Sequence, residues 1–135
     1  MVSVEKSAVL VLLAEDDSLV ATGLVVALEE AGYEVFHANS GAAAIDFLDK
    51  RAAEIKALVT DIKLGPGPDG WEVAHHARTL VPTLPVVYTS GDSAEAWAAN
   101  GVPNSVMLAK PFALAQLVTA VSQLITSVSS TPPPA

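Results

Sequence analysis

Four short stretches of this sequence hold the residue types that handle phosphate and hard cations. They are Glu15-Asp16-Asp17, Asp61, Thr89-Ser90-Gly91 and Lys110-Pro111-Phe112, and each comes at the end of an apolar run. If the fold gathers those run ends, several carboxylates, a hydroxyl and an ammonium meet within a few ångströms. Two carboxylates ~4 Å apart repel by ~4 kcal/mol at an effective dielectric of about 20, so either some take up protons or a cation occupies the site. Hard oxygen ligands without His or Cys suit Mg²⁺ (or Mn²⁺), which keeps waters and accepts a phosphate oxygen readily. A carboxylate with one oxygen free of the metal can attack phosphorus. Phosphoryl transfer asks of a protein mainly positioning and neutralisation of the equatorial oxygens, which Mg²⁺ and Lys110 would supply.

The elements that must position these groups alternate along the chain. Strand candidates are Ala8–Ala14, Tyr33–Ala38, Ala57–Thr60, Pro85–Thr89 and Ser105–Ala109. Several are continuous apolar runs, the pattern of a strand covered on both faces. Between them the apolar period lengthens to that of a helix. Leu24, Val25 and Leu28 share a face before Gly32, a helix end; Ala44, Ile45, Leu48 and Ala52 form the second face; Val73, Ala74, Ala77 and Val81 form the third, before Pro82. A short Ala-rich fourth helix runs from Ser93 to Asn100, and Leu114, Leu117, Val118, Val121, Leu124, Ile125 and Val128 line the fifth. This alternation predicts an α/β fold, a doubly wound five-stranded parallel sheet with right-handed crossovers. Ligands in such sheets bind beyond the carboxyl ends of the strands, near the point where strand order reverses. Residues 1–128 read as one domain and residues 129–135 as a flexible Ser/Pro-rich tail.

Composition narrows the function. A chain of 135 residues, 51% of them apolar, can bury a single core and is not disordered. The longest apolar run, Ala8 to Ala14, falls far short of the ~20 residues of a helical membrane span. It leads straight into acids rather than a small-residue cleavage site, so no signal peptide is expected. A net charge of −8 argues against nucleic acid or an anionic membrane as the main partner. With no cysteine there is no disulfide or thiolate metal site, and a cytoplasmic location is expected by elimination.

The segments "VLLAEDD", "LVTDIKLGPGPDGWEVA", "LPVVYTSGD" and "LAKPF", in this order and spacing, resemble the receiver domain of bacterial response regulators from about Ala8 to Val128. The resemblance implies the flavodoxin-like (βα)5 receiver fold of two-component systems, with Asp61 as phosphoacceptor. It implies Asp16 as a direct Mg²⁺ ligand, Glu15 as an acid acting mostly through a metal-bound water, and the Lys63 backbone carbonyl as the third protein ligand. Ser90 matches the hydroxyl that follows the phosphoryl oxygen when the switch is thrown, and Lys110 the lysine that pairs with that group. Lys110-Pro111 matches a cis peptide, and Gly91 the small residue that leaves the site open. Lys63 and Asp92 occupy the two variable positions beside the phosphoryl site; they are opposite in charge, and their expected role is to tune how fast water reaches an acyl phosphate.

Two features depart from the pattern. The loop after Asp61 carries one extra residue, with "GPGP" before Asp69-Gly70, which should stiffen it without altering the chemistry. The switch position three before Lys110, commonly Tyr or Phe, is Met107, so the usual aromatic form of the output step is not expected. The implied partners are a histidine kinase or histidine phosphotransfer protein and a downstream protein target. The chain reads as a stand-alone domain, a monomer or weak dimer, and as a phosphoacceptor rather than an enzyme with turnover. Apolar positions on the first helix, Leu19 and Val20, are expected to dock the phosphohistidine protein, unless they lie beneath the fifth helix.

Plainer readings stand beside these. Asp17 next to Ser18 reads as a helix cap. His75 and His76 read as solvated residues on the polar side of their helix, and Trp97 as either core edge or partner contact. A phosphorylation-independent pseudo-receiver would lack the acceptor or the lysine, and both are here. An aspartyl-phosphate phosphatase wants an acid two residues after the nucleophile, where Lys63 stands. A dinucleotide fold needs a Gly-rich first turn, and this one is acidic.

Overall fold

A computed structural model of the chain describes residues 9–92 and 94–129. Five strands, β1 (Val9–Ala14), β2 (Tyr33–Ala38), β3 (Ile55–Asp61), β4 (Val86–Ser90) and β5 (Ser105–Ala109), alternate with five helices. The helices are α1 (Ser18–Glu30), α2 (Gly41–Arg51), α3 (Gly70–Leu80), α4 (Trp97–Asn100) and α5 (Leu114–Ser129), with 3₁₀ turns at Ala52–Glu54 and Ala94–Ala96. All strand pairs are parallel, in the order β2-β1-β3-β4-β5, so strand order reverses between β1 and β3. This is the predicted doubly wound architecture.

The period-two alternation of the central strands divides the core. Leu10, Leu12 and Ala14 of β1 pack with Leu58, Val86 and Tyr88 against α2 and α3. Val11 and Leu13 pack with Ala57, Val59 and Val87 against α1 and α5. Because both faces are covered, these strands read in sequence as unbroken apolar runs. Pairing between β1 and β3 shifts from Leu10–Ile55 to Val11–Ala57, an irregularity that sends Ile55 inward and leaves Lys56 exposed.

Local chemistry fixes the helix ends. Asp17 caps α1 by accepting from the amides of Leu19 and Val20 at 2.9 and 3.1 Å, as its cap reading required. Gly32, at φ 100°, turns the chain out of α1. Ser40 caps α2, and Asp69 and Glu72 form a reciprocal capping box at α3.

Several expected boundaries are corrected. Asp61 and Ser90 are the last residues of β3 and β4 rather than the first of their loops, and β3 begins at Ile55. Ala52 lies in a 3₁₀ turn and Ser129 in α5, so the helical domain runs one residue past the predicted end. The starts of the first strand at Ala8 and of the fourth helix at Ser93, and the tail 130–135, lie outside the described residues. Among the described residues, no helix is long and apolar enough to cross a membrane.

Candidate functional site

The carboxyl ends of β1, β3, β4 and β5 bring the four chemical stretches together at the reversal of strand order. Asp61 is 8% exposed. Its Oδ1 accepts from the Ile62 amide at 2.7 Å and its Oδ2 from Lys110 Nζ at 3.0 Å. Glu15 is 1% exposed; its Oε2 accepts from the Asp17 amide at 3.1 Å, and its Oε1, 3.5 Å from Lys110 Nζ, has no hydrogen-bond donor. Asp16 is exposed beside them, and one oxygen from each of Glu15, Asp16 and Asp61 falls within 4.8 Å of the others.

Three acids and one ammonium in this space leave an excess of negative charge. Burial raises the Glu15 pKa above its ordinary value; the Asp17 amide opposes that rise, and the Asp61 charge adds to it. For Lys110, burial works against the ammonium, but the hydrogen bond and charge of Asp61 and the charge of Glu15 outweigh it, and its pKa is raised. Lys110 is thus held as a cation, and Glu15 gains from any second positive charge nearby. A buried carboxylate oxygen without a donor, in an all-oxygen cluster of this size, fits a hard divalent cation.

Backbone contacts hold the pieces in place. The Lys110 amide donates to the Ser90 carbonyl at 2.7 Å, tying the ends of β4 and β5 together. Lys110-Pro111 is cis. A β-carbon on Gly70 would strike the Asp61 carbonyl oxygen, so glycine lets the start of α3 seat directly on the backbone of Asp61; the Gly70 amide donates to the Ile62 carbonyl at 2.8 Å. In the Gly-Pro loop, Gly65 and Gly67 take φ of 78° and 95°, and Pro68 presses its carbonyl on Gly41.

The remaining predicted residues fall around this centre. Ser90 is buried, and the Asp92 amide donates to its Oγ at 3.3 Å. Lys63 and Asp92 pair at 2.7 Å across the mouth of the site. Gly91 has open space where a side chain would project. Met107 is half-buried, packs on the core beneath α2 and α3, and lies opposite Tyr88 in the β4–β5 register. Trp97 is 38% exposed and is tied to the sheet by its Nε1, which donates to Ser105 Oγ at 2.9 Å.

Two expectations need correction. His75 and His76 are not merely solvated: His75 bonds the Asn100 carbonyl at 2.8 Å, and His76 bonds Asp49 at 2.6 Å, linking α3 to α2. Val20 packs on the core under α1 and α5 and is not an exposed position, whereas Leu19 is 82% exposed and does not lie beneath the fifth helix. Sequence reasoning missed His37, whose Nε2 lies 2.8 Å from the Glu15 carbonyl; a backbone partner leaves no mark in the side-chain pattern.

Comparison with known proteins gives one answer. The profile described as response regulator receiver domain matches residues 11–122. The response regulator receiver protein CpdR of Brucella abortus (strain 2308) is 36% identical over 117 residues, which cover 85% of this chain and 95% of CpdR. The sensor kinase CckA of the same strain is 33% identical over 117 residues, but there the match spans only 12% of the kinase. Among solved structures, a response regulator receiver protein from Sinorhizobium medicae WSM419 is 48% identical with a TM-score of 0.87, covering 90% of this chain and 97% of that one.

Proposed function

Because this chain belongs to the response regulator receiver domain family, we propose that it accepts a phosphoryl group from a phosphohistidine protein onto Asp61 and thereby switches a protein–protein interaction or passes phosphate onward. The observation that carries this reading is the contact of Asp61 with Lys110 at 3.0 Å inside an acidic cluster that also holds Glu15 and Asp16. An Asp61 carboxylate oxygen attacks phosphorus, the P–N bond of the donor breaks, and its electron pair stays on the imidazole nitrogen. Lys110, held charged by its neighbours, moves from the Asp61 carboxylate to the arriving phosphoryl oxygens. The Ser90 hydroxyl lies on the adjacent strand end, where it follows the phosphoryl group.

Glu15, Asp16, Asp61 and the Lys63 backbone carbonyl would hold Mg²⁺ or Mn²⁺. The ion, when bound, supplies charge neutralisation at the phosphoryl oxygens. Phosphorylation and slow dephosphorylation are self-catalysed, without enzymatic turnover on a separate substrate. The donor is a histidine kinase or histidine phosphotransfer protein, the downstream target a protein, and the setting the cytoplasm. Met107 alone favours a constitutive binding module instead, and the presence of both Asp61 and Lys110 weighs against that.

Intact-mass measurement after incubation with Mg²⁺ and a small phosphodonor tests the proposal. The wild type gains one phosphoryl group and Asp61→Asn gains none. A wild type that stays unmodified, or an adduct that survives in Asp61→Asn, would overturn it.

A further inference from the structure

Asp16 is exposed, and among the described residues no hydrogen bond holds its carboxylate. Glu15, by contrast, is buried and anchored by the Asp17 amide. The direction in which Asp16 points is therefore set by its backbone, and above all by the peptide unit joining it to Glu15. One end of this turn is fixed where the Glu15 amide donates to the Ala38 carbonyl at 3.0 Å. The other end follows from Asp17 capping α1. Between them the Glu15 carbonyl meets His37 Nε2 at 2.8 Å. A carbonyl can only accept, so Nε2 carries the hydrogen and donates. His37 sits one residue before Ala38 on β2 and opposite Leu13 on β1, so it reaches the turn from the neighbouring strand.

We propose that His37 is a positioning residue for the cation site: it locks the Glu15–Asp16 peptide plane so that the Asp16 carboxylate faces Glu15 and Asp61. This rests on the reading of those three acids as a divalent-cation site. Partners that orient metal ligands without touching the metal commonly matter ten- to a hundredfold in affinity. Here the effect acts through a main-chain carbonyl, and a residue of a different strand thereby sets how tightly the ion is held.

The test is Mn²⁺ binding followed by the loss of its free-ion electron paramagnetic resonance signal. His37→Met and His37→Leu remove the donor, whereas His37→Gln keeps an amide N–H at similar reach. Melting curves in EDTA verify that each variant is folded at the temperature of the titration; two apolar replacements are used so that one misfolded variant leaves the other. The expected result is a Mn²⁺ Kd weakened about tenfold or more in the apolar variants and restored to within about threefold of wild type by His37→Gln. Equal Kd in wild type and a folded apolar variant overturns the role of His37, as does equal weakening in all three variants. A wild type that binds no Mn²⁺ overturns the cation-site reading itself, a different and separable failure.

Discussion

Lys63 and Asp92 meet at 2.7 Å, yet their side chains are 70% and 64% exposed, so their pairing adds little to stability, within about 1 kcal/mol. Its consequence is positional: the pair joins the loop after Asp61 to the loop after Ser90, and on the proposal that Asp61 is phosphorylated it is expected to hinder the approach of water to the acyl phosphate. Lys63→Ala is therefore expected to shorten the phosphoryl half-life several-fold while shifting the urea midpoint hardly at all. Mass spectrometry of the adduct over time reads this directly, and an unchanged half-life removes the idea. At this scale the sequence was legible wherever a side chain acts through its own chemistry. Asp61, Lys110, Glu15 and Asp16 carry charges that need one another, and their places after apolar runs showed where they would meet. Opposite charges likewise suggested the Lys63–Asp92 pair. His37 and the histidines of α3 were not legible: the partners of His37 and His75 are main-chain carbonyls, and that of His76 lies on a different helix.

Strands and helices show how a buried polar group couples two elements. Tyr88 of β4 is fully buried, its ring centroid 4.8 Å from that of Trp71 in α3, and its hydroxyl accepts from the Val102 amide at 3.0 Å just ahead of β5. Ser105 Oγ in turn donates to the Val102 carbonyl at 2.6 Å and accepts from Trp97, so α4 is moored to the sheet through this turn. Tyr88→Phe leaves the Val102 amide without its acceptor and should lower stability by about 1–3 kcal/mol. There is also a pH signature. Burial raises the Tyr88 pKa above 10.0, the hydrogen bond from Val102 only partly opposing it. The fold thus holds the phenol proton more tightly than the unfolded chain does. Its contribution is complete below the unfolded value near 10 and fades as pH rises through the higher folded value. Urea melts across pH 8 to about 11 should show a decline in the wild type that is smaller in Tyr88→Phe; parallel declines would contradict it. Element type and order could be read from the period of apolar residues. Strand ends could not: Asp61 and Ser90 are polar, yet they close β3 and β4 because main-chain pairing continues through Asp61–Thr89 and Ser90–Ala109. The irregularity at Lys56 likewise hid the start of β3.

The molecule as a whole carries a net charge of −8, and Glu15, Asp16 and Asp61 cluster at the site where, on the proposed function, a partner delivers a phosphoryl group. If the phosphohistidine protein is itself acidic, long-range attraction does not favour the encounter, and a docking contact there draws on apolar burial. The surface of α1 offers it: Leu19 is 82% and Val26 47% exposed, and α1 carries no charge before Glu29. Val20 and Leu24 on the inner side already pack toward α5, which leaves Leu19 without a structural task inside the domain. Leu19 also follows Asp17, whose carboxylate receives its amide, so this side chain stands within two residues of the acidic turn. Covering a leucine is worth about 1.5–3 kcal/mol, or roughly tenfold and more in affinity. Leu19→Glu should therefore fold as the wild type does, since an acid in the first turn suits the helix dipole. It should slow phosphotransfer from a phosphohistidine protein about tenfold and leave phosphorylation by a small donor within about twofold. That contrast separates docking from chemistry. Equal slowing with both donors would mean the added charge disturbs the site, and undiminished transfer from the protein donor would show that the partner binds elsewhere.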